Sequence, residues 1–347
     1  MITLKNPGNR ILLLSIIVVS GIMCINAFAA TKTWTGNGTD NNWSNTANWQ
    51  SGVVPANNDT IIFNSNSVAR LNNTNDISGL TGITIQITNP GTGPVVISGN
   101  ALIIGGAGGG NVDMSGATQD FTINDSITIG FAESWNVNSG RTLILNGAIL
   151  NSSYDFNIGG SGNSIIAGVY SGPAGNITKT GSGNLTLAGA NTFGGVTTIS
   201  GGMLLITNTT GSGTGSENVS VNSGATLAGT GTTASTVAVT AGGSLAPGVA
   251  GPGILTINNN LTFAAGATFA VDLNGTTAGT NYDQLVVNGT VMLSGAMLQL
   301  TLGYAPAIND AYTIIHGTSP IGDTFNGIAE GNVIIAPYGG SSYKFTV

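Results

Sequence analysis

Charge is what this chain has least of. Asp, Glu, Lys and Arg make up 6% of its 347 residues, against about 25% in an average soluble protein. Low charge with low complexity accompanies disorder, but disordered chains also lack apolar residues, and 41% of this chain is hydrophobic. The basic sign is the rarer one: seven Lys and Arg stand against 14 Asp and Glu, a formal net charge of −7. A chain with so few cations cannot neutralise a row of phosphates, which argues against nucleic acid and against an anionic membrane surface as partners.

Histidine and cysteine each occur once. One histidine, His316, leaves no room for a multi-histidine metal site, and it reads as an isolated residue at a strand end. No serine lies in a Gly-x-Ser-x-Gly elbow. Apolar residues at helical spacing do not persist beyond a turn or so, so the many Gly-x-Gly pairs carry no nucleotide-binding signal, which needs a following helix.

The long apolar run stands at the front. Lys5 and Arg10 precede Ile11 to Ile22, and Ala27-Phe28-Ala29 supplies the small-x-small pattern of signal peptidase cleavage. Residues 1–29 are therefore expected to be a signal peptide cleaved after Ala29, since the run is too short to span a bilayer comfortably. Cys24 follows Met23, where a lipidated cysteine needs a small residue. Removing Lys5 and Arg10 leaves five basic and 14 acidic residues, a net of −9, with no cysteine and no membrane span expected in the mature chain. Such an exported protein gains its stability from packing and hydrogen bonds, without disulfides.

What is plentiful is glycine, 55 of 347, about twice the usual share. Between the glycines lie short alternating runs bounded by Gly, Asn, Ser or Asp: Thr60–Phe63, Ile83–Ile87, Leu102–Ile104, Ile127–Ile129, Leu143–Leu145, Leu185–Leu187, Val237–Val239 and Leu285–Val287. These read as strands. One pattern recurs, an apolar residue, a glycine three later and an apolar residue three after that: Val137…Gly140…Leu143, Val221…Gly224…Leu227, Val239…Gly242…Leu245, Phe263…Gly266…Phe269. A looser copy is Val96…Gly99…Leu102, and shortened ones are Ile199…Gly202…Leu204 and Met292…Gly295…Met297. The glycines are separated by 41, 62, 22, 18, 24 and 29 residues, where the first two are near two and three times a unit of about twenty. That unit suits one coil of a solenoid, with the flanking apolar residues turned inward and the glycine at positive φ between two strands. The expectation is an all-β, right-handed parallel β-helix with coils of about 20 residues.

The segment Asn184-Leu-Thr-Leu-Ala-Gly-Ala-Asn-Thr-Phe-Gly-Gly-Val-Thr-Thr-Ile-Ser-Gly-Gly-Met-Leu-Leu-Ile206 resembles the autotransporter-associated β-strand repeat, a passenger repeat. Leu185, Thr186, Leu187, Gly189, Asn191, Thr192, Phe193, Gly194 or Gly195, Gly202 and Leu204 match its pattern, while Val196 stands where threonine is preferred. Thr33-Trp34, Asn42-Trp43, Asn48-Trp49, Val54-Pro55, Asp59 and Phe63 resemble the leading module of exported proteins that carry this repeat. Tyr282 to Val287, Leu300 to Tyr304 and Tyr312 to Ile315 resemble their closing module. The resemblance implies a β-helical passenger, secreted or held at the bacterial cell surface. The expected organisation is a signal peptide at 1–29, a Trp-rich leading module at 30–65, a β-helix at 66–280 with the passenger repeat at 176–210, and a C-terminal β module at 281–347. No membrane barrel or sorting tail follows, so the expectation is either a truncated C-terminal module or a protein released without an anchor of its own. The stretch from Asn146 to Asn176 is irregular and reads as a joint.

Chemistry is sparse. Polysaccharide lyases on β-helices need clustered carboxylates and a base. Asp120 and Asp125, with Arg141 further on, are the nearest approach to such a cluster. Glycosidases need two opposed carboxylates, and Asp272 with Asp283 is the pair that coils would bring together. Gly105 to Gly110 is like a calcium-binding glycine nonapeptide but has Gly110 where aspartate is required, Asp113 arriving three residues late. Trp34, Trp43 and Trp49 are three of the four tryptophans. They read first as a plug on the open end of the solenoid, and second as a ligand-binding platform that stacks on sugar rings. The functional expectation is an exported structural or adhesive surface protein with no catalytic activity and no cofactor. Extracellular glycans or neighbouring cells are its expected partners. The alternatives are a carbohydrate-active β-helix, lyase or hydrolase, and a glycan-binding module.

Overall fold

A computed structural model describes residues 29–106 and 110–346. The signal-peptide reading of 1–29, apart from its last residue, and the centre of the Gly105–Gly110 run lie outside the described residues.

The chain is a parallel β-helix. Two long sheets run its length, one of 13 strands from Thr31–Thr33 to Ile321–Gly322 and one of 11 strands from Asn72–Asn75 to Met297–Leu302. All pairings in both are parallel, and each strand pairs with its equivalent one coil away. A third face is built by two four-stranded sheets, Leu102–Ile104 to Tyr170–Ser171 and Thr232–Thr233 to Ile315–Gly317. Between them, residues 188–196 and 207–218 turn the corner without a strand. No α-helix occurs among the described residues; Thr46–Asn48 is a single 3-10 turn.

The strands form because their side chains alternate. Runs such as Thr60–Phe63, Thr84–Ile87 and Asn184–Leu187 bury every second residue, so a continuous column of Ile, Leu, Val and Phe fills the interior, each contributing about 1.5–3 kcal/mol by leaving water. The coil length follows from the register. Ile158, Lys179, Ile199 and Val221 are successive partners, 21, 20 and 22 residues apart. Near the C-terminus Leu261 pairs with Val291 and Val291 with Ile321, steps of 30, because loops such as 274–283 are inserted between strands.

All seven repeat glycines adopt positive φ, from +63° at Gly202 to +118° at Gly99. At Gly140, Gly202, Gly224, Gly242, Gly266 and Gly295 the turn leads from the first sheet to the second, a bend that a side chain at positive φ would strain. Two copies of the pattern differ from expectation. Gly99 turns from the second sheet to the third face, and Val96 points outward. Met292 and Met297 also face solvent, 39% and 54% exposed, because the inward positions belong to Val291, Leu293 and Ala296. A one-residue shift relative to the pleat puts Val96, but not the buried Leu102, on the outer face in the first copy, and both methionines there in the second.

The irregular stretch 146–176 does not interrupt the pairing. Its strands Ile149–Leu150, Phe156–Gly160 and Asn163–Ile166 each pair on both sides with neighbouring coils. Its irregularity is an aromatic one: Trp135, Phe156, Tyr170 and Phe193 form an interior column with centroids 4.8, 6.0 and 5.0 Å apart.

Candidate functional site

The tryptophan cluster occupies the first coil. Trp34 continues the opening strand of the first sheet and bridges Trp49, while Asn42, next to Trp43, pairs with Thr74 as the first rung of the second sheet. The rings are 0%, 0% and 3% exposed at Trp34, Trp43 and Trp49 and pack edge to face, with Trp49 centred 5.1 Å from Trp34 and 5.8 Å from Trp43. Each indole N–H is spent inside the protein, on the Ala69 carbonyl (3.2 Å), the Asn73 Oδ1 (2.7 Å) and the Trp43 carbonyl (2.7 Å) respectively. A sugar platform needs an open ring face, and none of these three has one. The ligand-binding expectation for Trp34, Trp43 and Trp49 is corrected accordingly: their burial fits closure of the apolar end.

The scattered carboxylates serve the backbone. Asp120 accepts from the Thr142 N–H one coil on (2.9 Å), and Arg141 donates to the Thr118 carbonyl (3.0 Å). Burial raises the Asp125 carboxyl above its usual range, although it also accepts from Gly99. Asp272 and Asp283 do meet, within one coil: Asp283 is buried, and its carboxylate accepts the N–H groups of Asp272 and Gly253, both at 2.8 Å. Burial pushes its carboxyl up to about 6 against those two hydrogen bonds. Both its oxygens hold the corner of the coil. Asp113 caps the Ser115 N–H (2.9 Å) on the outer face, and His316 is exposed on the strand Ile315–Gly317. Among the described residues no three His, Cys, Asp or Glu side chains gather as a metal site.

The passenger-repeat residues are structural. Leu185, Leu187, Phe193 and Leu204 are fully buried. Asn191 is buried and spans three coils: its Oδ1 accepts from the Tyr170 N–H (2.8 Å) and its Nδ2 donates to the Gly213 carbonyl (2.6 Å). It replaces, on the third face, the strand pairing that is missing there. Thr192 follows it outward and donates its N–H to the Tyr170 carbonyl (3.0 Å). Gly189, Gly194 and Gly195 run against the carbonyls of Gly168, Pro173 and Gly175 in the preceding coil, where a Cβ would collide. Gly202 is both at positive φ and pressed against the Gly183 carbonyl.

Three features had not been singled out. Glu133 points into the core in the strand Glu133–Val137; the indole of Trp135 donates to one of its oxygens (3.0 Å), and the other has no partner among the described residues. Burial pushes its carboxyl up to about 7, against that one hydrogen bond. Lys179 is inward too, its ammonium donating to the carbonyls of Thr180 (2.5 Å), Gly181 (3.0 Å) and Gly201 (3.1 Å), with burial drawing it down to about 8. The alternation of Glu133, Trp135 and Val137, and of Ile177 and Lys179, is the signal in the sequence that turns these single charges inward. The third feature is aromatic and exposed. Phe131 and Tyr154 are 45% and 38% exposed with centroids 5.7 Å apart. They are 23 residues apart, one coil, so the solenoid period was the signal that would have paired them.

At the far end, the antiparallel hairpin of Val333–Tyr338 and Ser341–Thr346 lies near the last rungs. A cavity of about 1040 Å³ between them is lined by Leu273, Leu298, Leu300, Tyr312, Phe325 and Phe345 among others.

These elements define a solenoid built for length, whose polar interior contacts hold coils together. Within it, residues 177–206 match the family model of the passenger-associated transport repeat. The resemblance read at 184–206 is thereby borne out, and the repeat marks a passenger-type domain of the kind carried by exported surface or secreted proteins. No curated protein matches the chain.

Proposed function

We propose that this chain is an exported structural or adhesive surface protein, a β-helical stalk that does no chemistry. The supporting observation is the passenger repeat lying in register inside one unbroken ladder of parallel strands. Asp120 and Asp283, two of the carboxylates a lyase or hydrolase would draw on, are engaged by backbone N–H groups. The outer surface is a set of ladders at coil spacing. Ser134, Asn157, Thr178, Thr198, Ser220 and Thr262 form one column along the first sheet, interrupted once by Ala238. Side-chain amides link coils on the outer turns, as from Asn146 to Asn124 (2.8 Å) and Asn288 to Asn258 (2.7 Å). Such a surface suits contact with glycans or neighbouring cells by many weak hydrogen bonds. The test is incubation of the purified chain with a polysaccharide panel: the reading expects no reducing or unsaturated ends, and their release above a heat-inactivated control would overturn it.

A glycan-binding module is the second reading, and the Phe131–Tyr154 pair favours it. Two exposed rings on adjacent coils offer a pyranose the apolar faces that the buried tryptophans do not. Saturable binding lost in Phe131→Ala with unchanged thermal stability is the outcome that reading expects.

A further inference from the structure

The two long sheets differ on their outer faces, and the difference identifies a docking surface. In a solenoid with water outside, outward strand positions should be polar. The first sheet obeys over most of its length, its column of Ser, Thr and Asn from Ser134 to Thr262 being broken at Ala238 and ending at Met292. The second does not. Its register sets Val96, Thr122, Ile144, Ile165, Thr186, Leu205, Ala228 and Ala246 side by side, one per coil. Ala270 extends the row, since Leu245 is the partner of Phe269. All alternate with buried residues on their strands and are half-buried, apart from Ala228, which is 2% exposed between its larger neighbour Leu205 and Ala246. The result is a mostly aliphatic stripe nine coils long. Charge is nearly absent from it: Asp272, at its C-terminal end, is the one ionisable residue on the outward strand positions of this sheet.

We propose that this stripe is a self-association surface whose occupant is a second copy of the chain, docked face to face with its axis reversed. Three observations select that occupant. First, the stripe is self-complementary in shape. A two-fold axis through Thr186 sets Ile165 against Leu205, Ile144 against Ala228, Thr122 against Ala246 and Val96 against Ala270. The bulky half of one copy thus meets the small half of the other, as an isologous contact requires. Second, the charge fits. With a net of −7, two copies repel over most of their surface, and this face, with Asp272 alone at its C-terminal edge, is where they meet burying least charge. An anionic lipid surface finds no cations here, and a sugar finds no aromatic ring. Third, the size fits. Nine rungs at about 4.8 Å and strands of four to five residues make a flat face of about 600 Å², near the roughly 800 Å² per partner of a standard interface. The inference stands apart from the reading of export and adhesion, since it concerns the purified chain in buffer.

The experiment is sedimentation of the purified chain over a concentration series, with variants Ile165→Lys and Leu205→Glu. The expected result is a monomer–dimer equilibrium in the wild type. Either variant alone should weaken it by roughly tenfold or more, with circular dichroism and thermal midpoint unchanged. Mixing the two should restore a dimer, because the reversed axis places the introduced ammonium of one copy opposite the introduced carboxylate of the other. Thr198→Lys, on the outer face of the first sheet, should leave the dimer intact. A wild type that stays monomeric at every concentration overturns the proposal, as does a dimer that survives Ile165→Lys. Failure of the mixture to recover overturns the reversed-axis arrangement. If Ile165→Lys misfolds, Ile144→Lys carries the same test one coil away.

Discussion

Glu133 makes the stability of this solenoid depend on pH in a calculable way. Its folded-state carboxyl titrates at about 7, against 4.5 in an unfolded chain. A carboxyl raised in this way holds its proton in the folded state after the unfolded state has released it. Stability therefore falls as pH rises from about 4.5 to about 7, and the loss is complete above that window. The difference of about 2.5 pH units corresponds to roughly 3 kcal/mol at 1.36 kcal/mol per unit, an upper figure, because the unfolded ensemble is not a free peptide. Glu133→Gln removes the charge and keeps an oxygen for the Trp135 indole. The variant should match the wild type below pH 4.5 and exceed it by up to about 3 kcal/mol above pH 7. Urea unfolding of both proteins at pH 4.5 and 8 reads this directly. Asp283, raised to about 6, tilts the wild-type profile the same way. Lys179, lowered to about 8, acts the other way between about 8 and 10.5. Both cancel in the difference between the two proteins. An unchanged or lower stability of Glu133→Gln at pH 8 would refute the reasoning and imply that the free oxygen is satisfied in solution.

Other outcomes follow from the coil contacts. Asn191→Ala strands a buried N–H and a buried C=O at once and should cost about 2–4 kcal/mol in urea unfolding. Gly195→Ala should drop the thermal midpoint far more than Gly140→Ala: the first drives a methyl into the Gly175 carbonyl, while the second, at φ +69° with open space around it, costs only about 1 kcal/mol of backbone strain. Trp43→Ala should lose about 3–5 kcal/mol and leave any glycan binding unchanged; unaltered stability with abolished binding would reverse the cap reading.

Much of the fold was legible because a solenoid repeats its reasons. The apolar–glycine–apolar pattern marked the bend between the two long sheets at Gly140, Gly224, Gly242 and Gly266, and the burial of Val137, Leu143, Val221 and Leu227 bears it out. What failed were positions where a pattern of type does not fix the phase of the pleat. Val96 and Met292 satisfy the motif yet point outward, since a one-residue offset reverses every side chain of a strand. The passenger repeat was readable because its Asn and Gly have coil-to-coil duties that no other residue fills. The surfaces were not. The tryptophans read first as a plug, and the binding platform stayed open as the second reading because exposure cannot be read from composition. The aliphatic stripe spans residues 96 to 270 and becomes a line only when the register is known.

The measurement that bears most directly on the central claim is fractionation of cells expressing the whole chain, with intact mass of each fraction. The account predicts that the protein appears outside the cytoplasm, in the medium or at the surface, with a mass that begins at Ala30. A protein retained inside the cell with its first 29 residues in place would contradict it.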